Sequence, residues 1–448
     1  MTKFSKNRET QPRKDQIDAT LSRRAFVGSS SALAATGVYG ATLSSNAVAT
    51  EQQVTPPNST QPVAQPFTIP ARQTTKDHYM HDPGMACMED GTLLVAAPCF
   101  EWEHKRVLRN IRSRRKIIHK ELLLSRSFDG GETWETLDPM PVEDATPFVH
   151  ENKFYMFLPG KTFRLVRSDD HGKSWSEPVE ILKTPEWNCS TGMTVKDNKL
   201  YWAIGGTTAI CGDLSRDIMD PQAWRKSNRV GFPKVPDRLR SNIYPPKNGT
   251  WPVQWGGDLW LEPNVVNVNG HLRVLSRCVI DEYSTASIGG ICDLNDDGEE
   301  LTLEFTQFAA IPGAQNKFFI MYDEPTQLFW MLSNMPTDSQ GYFADRDELL
   351  KVGYHGGPGN ERRILMLYYS RDSLNWFQAG CAAMWPSPIQ AFMYPSAAIV
   401  GNDIVFISRT SAEAQNQHDA DIVTFHRIRD FRALAMDIFP KLPDGPNV

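Results

Sequence analysis

Short apolar runs broken by turn residues recur along most of the chain. Examples are Gly91-Thr92-Leu93-Leu94-Val95-Ala96, Lys153-Phe154-Tyr155-Met156-Phe157-Leu158, Val265-Val266-Asn267-Val268-Asn269-Gly270 and Ile404-Val405-Phe406-Ile407. Each has strand length and carries Gly, Asn or Asp at or next to at least one end, the residues that turn a chain back on itself. No long 3.6-residue periodicity competes, so the pattern predicts an all-β protein of many short strands.

Two of the turns repeat. Ser127-Phe128-Asp129-Gly130-Gly131-Glu132-Thr133-Trp134 and Ser168-Asp169-Asp170-His171-Gly172-Lys173-Ser174-Trp175 share the pattern S-x-D-x-G-x-x-W, 41 residues apart. A repeat of this period indicates stacked supersecondary units such as propeller blades. In each copy the Asp is expected to bond turn backbone, the Gly to take positive φ, and the Trp to bury between sheets. Degenerate copies follow at Ser215-Arg216-Asp217 with Trp224 and at Ser370-Arg371-Asp372 with Trp376.

The N-terminus departs from this pattern. Ser22-Arg23-Arg24-Ala25-Phe26-Val27 precedes a weakly apolar stretch diluted by Gly28, Gly37, Gly40 and serines, and Ala47-Val48-Ala49 offers a small-residue cleavage site. Residues 1–49 are read as a twin-arginine signal peptide, which implies passage through that export machinery and a periplasmic or extracellular location. Residues 50–75, rich in Pro, Gln and Thr, are read as a disordered linker, and residues 76–448 as the folded domain. No later segment has the roughly 20 consecutive apolar residues of a transmembrane helix.

Composition adds two constraints. The 448 residues carry a formal net charge of -6; without the first 49, 40 basic residues face 50 acidic ones. So acidic a body argues against a nucleic-acid partner. One exception is the run Lys105 to Lys120, with eight Lys/Arg, placed to attract a sulfated or uronate-bearing glycan. Seven cysteines without CxxC spacing suggest neither a zinc nor a redox site, and Cys278 with Cys292 is the candidate disulfide.

The S-x-D-x-G-x-x-W turns resemble the Asp boxes of the sialidase (BNR-repeat) family, and with the degenerate copies the resemblance runs over residues 78 to 432. It implies a single β-propeller, six blades first, with five or seven left open. The Asp-box positions Ser127, Asp129, Gly131, Trp134, Ser168, Asp170, Gly172 and Trp175 then have a structural role.

Sialidases use three arginines for a substrate carboxylate, a Tyr nucleophile activated by a Glu, and an Asp acid/base. Trp260-Leu261-Glu262-Pro263-Asn264 through Ser276-Arg277 resembles the stretch carrying the Glu and the second arginine. Arg362-Arg363 lies near the third arginine's place, with Arg363 taken as the binder, and Tyr394-Pro395-Ser396 resembles the nucleophile segment. The first blade departs from the family: its Arg-Ile-Pro is His81-Asp82-Pro83 here, and a later Tyr-Glu is Ser408-Arg409.

From the residues themselves, Glu262 near Trp260 and Arg277 is a candidate acid/base, and Tyr394 a nucleophile or polar partner. His418 and Asp82 stand at strand entrances as further catalytic candidates; a structural hydrogen bond is the alternative for each. Arg277, Arg363, Arg409, His81, Lys317 and His355 are candidate substrate ligands, since converging guanidiniums suit a carboxylate or sulfate. No serine-triad order, P-loop, GxGxxG or HExxH occurs, and no metal or cofactor is indicated. The expectation is an exported, exo-acting glycoside hydrolase on an anionic glycan. A propeller polysaccharide lyase and a non-catalytic glycan-binding propeller are the alternatives.

Overall fold

The structure is a computed structural model that describes residues 61–64, 66–102, 117–205, 208–239, 259–280, 287–336, 361–387, 389–414 and 417–436. By backbone contacts the chain divides into Met1–Thr55 and Pro56–Val448. The signal peptide, most of the basic run and His355 lie outside the described residues.

Within the second unit the strands form six antiparallel sheets. The first holds β2 (His78–Met80), β3 (Gly84–Cys87), β4 (Leu93–Trp102), β5 (Ile117–Ser127) and β6 (Glu135–Met140). The second runs β7 (Thr146–His150), β8 (Lys153–Leu158), β9 (Phe163–Ser168) and β10 (Val179–Leu182). The third has β11 (Thr194–Lys196), β12 (Lys199–Ile204), β13 (Thr208–Asp213) and β14 (Trp224–Lys226). The fourth has β15 (Leu259–Val268), β16 (His271–Val279), β17 (Ile288–Asp296) and β18 (Leu301–Ala310). The fifth has β19 (Phe319–Asp323), β20 (Leu328–Asn334), β21 (Ile364–Ser370) and β22 (Phe377–Met384). The sixth has β23 (Ala391–Val400), β24 (Asp403–Ser411) and β25 (Ile422–Ile428), completed at its outer edge by β1 (Thr68–Arg72).

Core packing makes these sheets a closed ring. Leu94 and Leu122 pack on Phe154 and Met156; Phe148 and Phe157 on Trp202; Tyr201 and Cys211 on Trp260 and Val274. Val266 and Leu275 pack on Phe329 and Met331; Trp330 on Phe392 and Phe406; and Val405 and Val423 on Val95 and Met85. Six sheets meet at six interfaces, so the protein is a six-bladed β-propeller; the repeat predicts blades, and six is the first of the numbers the resemblance implies. A middle strand has a neighbour on both faces. Leu94 therefore serves one interface and Val95 the other, which is why such strands read as apolar runs and not as strict alternation.

The repeated turns join the third and fourth strands of their blades. In the first, Ser127 Oγ donates to Asp129 Oδ1 (2.7 Å) and accepts from Gly131 N (2.8 Å), while Asp129 accepts from Thr133 N (3.0 Å). Ser168, Asp170, Gly172 and Ser174 repeat the arrangement. Trp134 donates to Thr68 Oγ1 (2.9 Å) and packs on Phe425, tying blade one to blade six, and Trp175 packs between blades one and two. At Ser370 the network survives, with Asp372 accepting from Ser370 Oγ, Leu374 N and Asn375 N. At Ser215 it does not: Ser215 bonds Asp213 instead, and Asp217 caps Met219 N.

Two expectations are corrected. The segment read as linker is ordered well before residue 75, since Val63 and Ala64 donate to Cys381 and Ala382 carbonyls and Thr68–Arg72 pairs with β25. Pro70 is tolerated because this is an edge strand. Cys278 and Cys292 are free thiols. In the register of β16 and β17, Cys292 faces Val274, four residues and about 13 Å along the strand from Cys278. None of the described helices is long and apolar enough to cross a membrane.

Candidate functional site

The innermost strand of each blade lines the channel, and the residues at its entrance point polar groups toward the axis. Asp82 lies two residues before β3 and Asp144 two before β7; Lys317 lies two before β19; Glu262 and Tyr394 stand within β15 and β23. Glu262 (φ 51°) and Tyr394 (φ 52°) are both left-handed, both at register shifts in their strand pairs, and both followed by proline. A non-glycine residue held in this region costs on the order of 1–3 kcal/mol and persists where surrounding structure fixes it. The matching irregularity re-aims the two side chains at one another.

Their geometry is that of a coupled pair. Tyr394 Oη donates to Glu262 Oε1 at 2.7 Å, and Arg277 Nη1 donates to Glu262 Oε1 and Oε2 at 3.0 and 2.9 Å and to Tyr394 Oη at 3.2 Å. Arg277 Nε is fixed by the Gln315 carbonyl. Burial and then the Glu262 charge push the Tyr394 hydroxyl well above its usual value. Burial alone would lower Arg277, but the Glu262 carboxylate holds it above its ordinary range.

A second ion pair lies across the Tyr394 ring. Arg409 Nη1 donates to Asp82 Oδ1 at 3.0 Å, and its Nη2 donates to the His418 carbonyl. Both partners lie in the segments where the sequence departs from the resemblance, His81-Asp82-Pro83 and Ser408-Arg409. His418 Nδ1 is 2.9 Å from Asp419 Oδ1 and 3.3 Å from Arg409 Nη2, and one tautomer can serve only one of these. Burial with the Arg409 charge pulls His418 down to about 3 and His81 well below the usual histidine range, so both are neutral at physiological pH.

The arginines at 362 and 363 exchange the expected roles. Adjacent residues on an extended segment face opposite ways; Arg362 turns inward and stacks over Tyr394 at 5.2 Å, while half-exposed Arg363 reaches the Pro386 carbonyl. Arg409 covers the same ring at 5.0 Å. Arg362 is 2% exposed and Lys317 1%. Arg362 contacts Asn316 Oδ1 (3.1 Å) and Met393 Sδ, and Lys317 Nζ donates to the Pro395 carbonyl. Neither forms an ion pair with a carboxylate among the described residues. Burial, with the like charges of Arg277 and Arg409, pulls Arg362 down to about 10, and burial lowers Lys317 too.

The sequence reading missed three participants. Asp144 is a third buried carboxylate, held by Trp187 Nε1 (2.5 Å) and the Ala145 N–H (2.8 Å). Asn316 and Gln417 position Arg362 through its side chain and backbone N–H. On the outer part of blade one, His78, Cys99 and Glu121 have ligand atoms within 4.8 Å of one another, but the Thr74 hydroxyl lies among them.

No protein-family model matches the chain, and no curated protein does. Solved structures match the chain at low identity, with TM-scores below 0.5. A Dyadobacter fermentans protein of unknown function is 12% identical over 81% of this chain and 98% of its own (TM-score 0.48). A Trypanosoma rangeli sialidase in complex with sialic acid is 15% identical over 80% of this chain (TM-score 0.46), and the chain spans only 55% of that protein. A Penicillium chrysogenum alpha-L-arabinanase complexed with arabinobiose is 11% identical over 82% of this chain and 99% of its own (TM-score 0.45).

Proposed function

We propose that this chain is an exported propeller glycosidase that acts on an anionic glycan. The Tyr394–Glu262 contact at 2.7 Å carries the reading. A buried phenol donating to a carboxylate that a guanidinium already holds is arranged to lose its proton to that carboxylate as its oxygen attacks. Tyr394 is the nucleophile, Glu262 takes its proton, and Arg277 orients both. Both Glu262 oxygens are engaged, so its part is that of a base and not of a proton donor.

The anionic substrate class rests on Arg362 and Lys317. A buried cation without a counter-ion is costly, and a carboxylate or sulfate on the substrate would supply the missing charge to both. Arg362 can present two parallel N–H groups to such an anion.

The test is to incubate the purified protein with sialylated, sulfated and uronate-bearing glycans, following reducing ends and the absorbance of unsaturated sugars together. Reducing ends that vanish in Tyr394→Phe and Glu262→Gln support the hydrolase. Unsaturated product would assign a lyase in its place, and binding without turnover would leave a glycan-binding propeller.

A further inference from the structure

We propose that Asp82 and Asp144 form one acid–base unit, sharing a single proton that is delivered to the departing glycosidic oxygen, with His81 as its link to solvent; this rests on the glycosidase reading above. The two acids occupy the same position in successive blades, two residues ahead of an inner strand. Those strands approach unusually closely: a Cβ on Gly84 would lie 2.4 Å from Pro147 Cδ, so only glycine lets β3 and β7 come together there. Oxygens of Asp82 and Asp144 and a ring nitrogen of His81 consequently lie within 4.8 Å of one another.

Their partners cannot support two negative charges. Asp82 and Asp144 are 1% and 3% exposed. Asp82 has one guanidinium, Arg409, on one oxygen, and His81 Nδ1 3.3 Å from the other. Among the described residues Asp144 has two neutral N–H donors, from Trp187 and Ala145. Two buried carboxylates at this spacing do not both ionise. The titratable groups facing Asp82 are the cations Arg409, Lys317 and Arg362 and the neutral His418, whereas Asp144 faces Asp82 and Glu143. Burial raises both acids, and the neighbouring negative charge adds to it at Asp144, so the proton rests on Asp144 and the pair titrates as one unit. His81 stacks on Phe100, and its side chain is the most exposed of the three.

In the first step the Tyr394 oxygen bonds to the anomeric carbon and its proton passes to Glu262. The glycosidic C–O bond breaks with its electron pair on the leaving oxygen, which takes the shared proton. In the second, water attacks the anomeric carbon and returns a proton to the Asp82–Asp144 pair, while the released Tyr394 oxygen recovers its own from Glu262. One water is consumed, and both groups end as they began.

Infrared spectroscopy of the wild-type protein at neutral pH tests the shared proton without any variant: the C=O stretch of a protonated carboxylic acid should be present, and should disappear in Asp144→Asn. Activity tests its destination. Asp144→Asn should lose about 100-fold or more on a glycoside with an alcohol leaving group and retain activity on one with an acidic phenol, which departs without protonation. A wild-type spectrum lacking the acid band, or equal losses on both leaving groups, would overturn the proposal. Turnover of neither substrate by the wild-type protein would instead sink the glycosidase reading, and the band alone would then decide whether the proton is shared. Should Asp144→Asn fail to fold, Asp82→Asn must show the same loss on the alcohol leaving group with activity retained on the acidic phenol, or the unit does not exist.

Discussion

Arg277 and Arg362 are buried in the same cluster, yet replacing each by methionine should have opposite consequences. Arg277 neutralises Glu262. Its removal strands a carboxylate in the interior, which costs about 3–5 kcal/mol. Arg362 forms no ion pair with a carboxylate among the described residues and instead meets Asn316 Oδ1 and Met393 Sδ. Its fall from 12.5 to about 10 corresponds to about 3 kcal/mol stored against its charge. Arg362→Met relieves that and leaves the Asn316 oxygen unpaired at a cost of about 1–3 kcal/mol, so the two terms nearly cancel. At about 2 °C per kcal/mol for a large domain, Arg277→Met should melt roughly 6–10 °C below wild type, and Arg362→Met within a few degrees of it. An anionic glycan at a hundredfold excess over its Kd should stabilise the wild type by about 2.7 kcal/mol and Arg362→Met hardly at all. Thermal melts with and without ligand measure both. Equal losses in the two variants would refute the idea that Arg362 is held in wait for an anion.

Three further outcomes are expected, two from the geometry and one from the sequence. Gly131→Ala would put a Cβ 2.1 Å from the Phe425 ring at φ 95°, whereas Gly270→Ala meets open space at φ 90°; urea melts should show the first costing several kcal/mol and the second about 1. Buried His426, bonded to the Ala64 carbonyl and stacked on Phe406, is depressed to about 4 by burial. Its share of stability is complete above the ordinary value of 6.5 and is lost as pH falls toward 4, so His426→Gln should flatten the pH dependence of stability in that window. Replacing Arg23 and Arg24 by lysine should leave the protein in the cytoplasm, as fractionation of the producing cells would show.

What the sequence revealed of the fold followed from chemistry that is local. An Asp, a Gly and a Trp at fixed offsets specify one turn wherever it falls, and both intact copies make it; the copy at Ser370, with no Gly and its Trp one position early, keeps the Ser–Asp bond and the backbone bonds to Asp372. The first strand was hidden because Thr68-Ile69-Pro70-Ala71 finds its partner only at the far end of the chain, and nothing nearby marks it as a strand. Within the site, Glu262, Arg277, Tyr394, Arg409 and Asp82 converge: Glu262 and Tyr394 lie within inner strands, Asp82 just ahead of one, and Arg277 and Arg409 on the second strands beside them. The choice between Arg362 and Arg363 turned on which way one residue faces, and a single-residue step in register reverses that. Asp144 reads as an ordinary polar turn residue in Val142-Glu143-Asp144-Ala145-Thr146; its spacing from the following strand, the same as that of Asp82, is the signal that could have found it.

Closure of the sixth blade by Thr68–Arg72 bears on how the protein is made. Thr68 pairs with Phe425 and Ala71 with Val423, so the sheet that shuts the ring joins the beginning of the domain to its end. A ribosome must release nearly the whole domain before this seam can form. Until then blade six has a bare edge and blade one an uncovered face. Such a chain gains its last cooperative contacts only after synthesis.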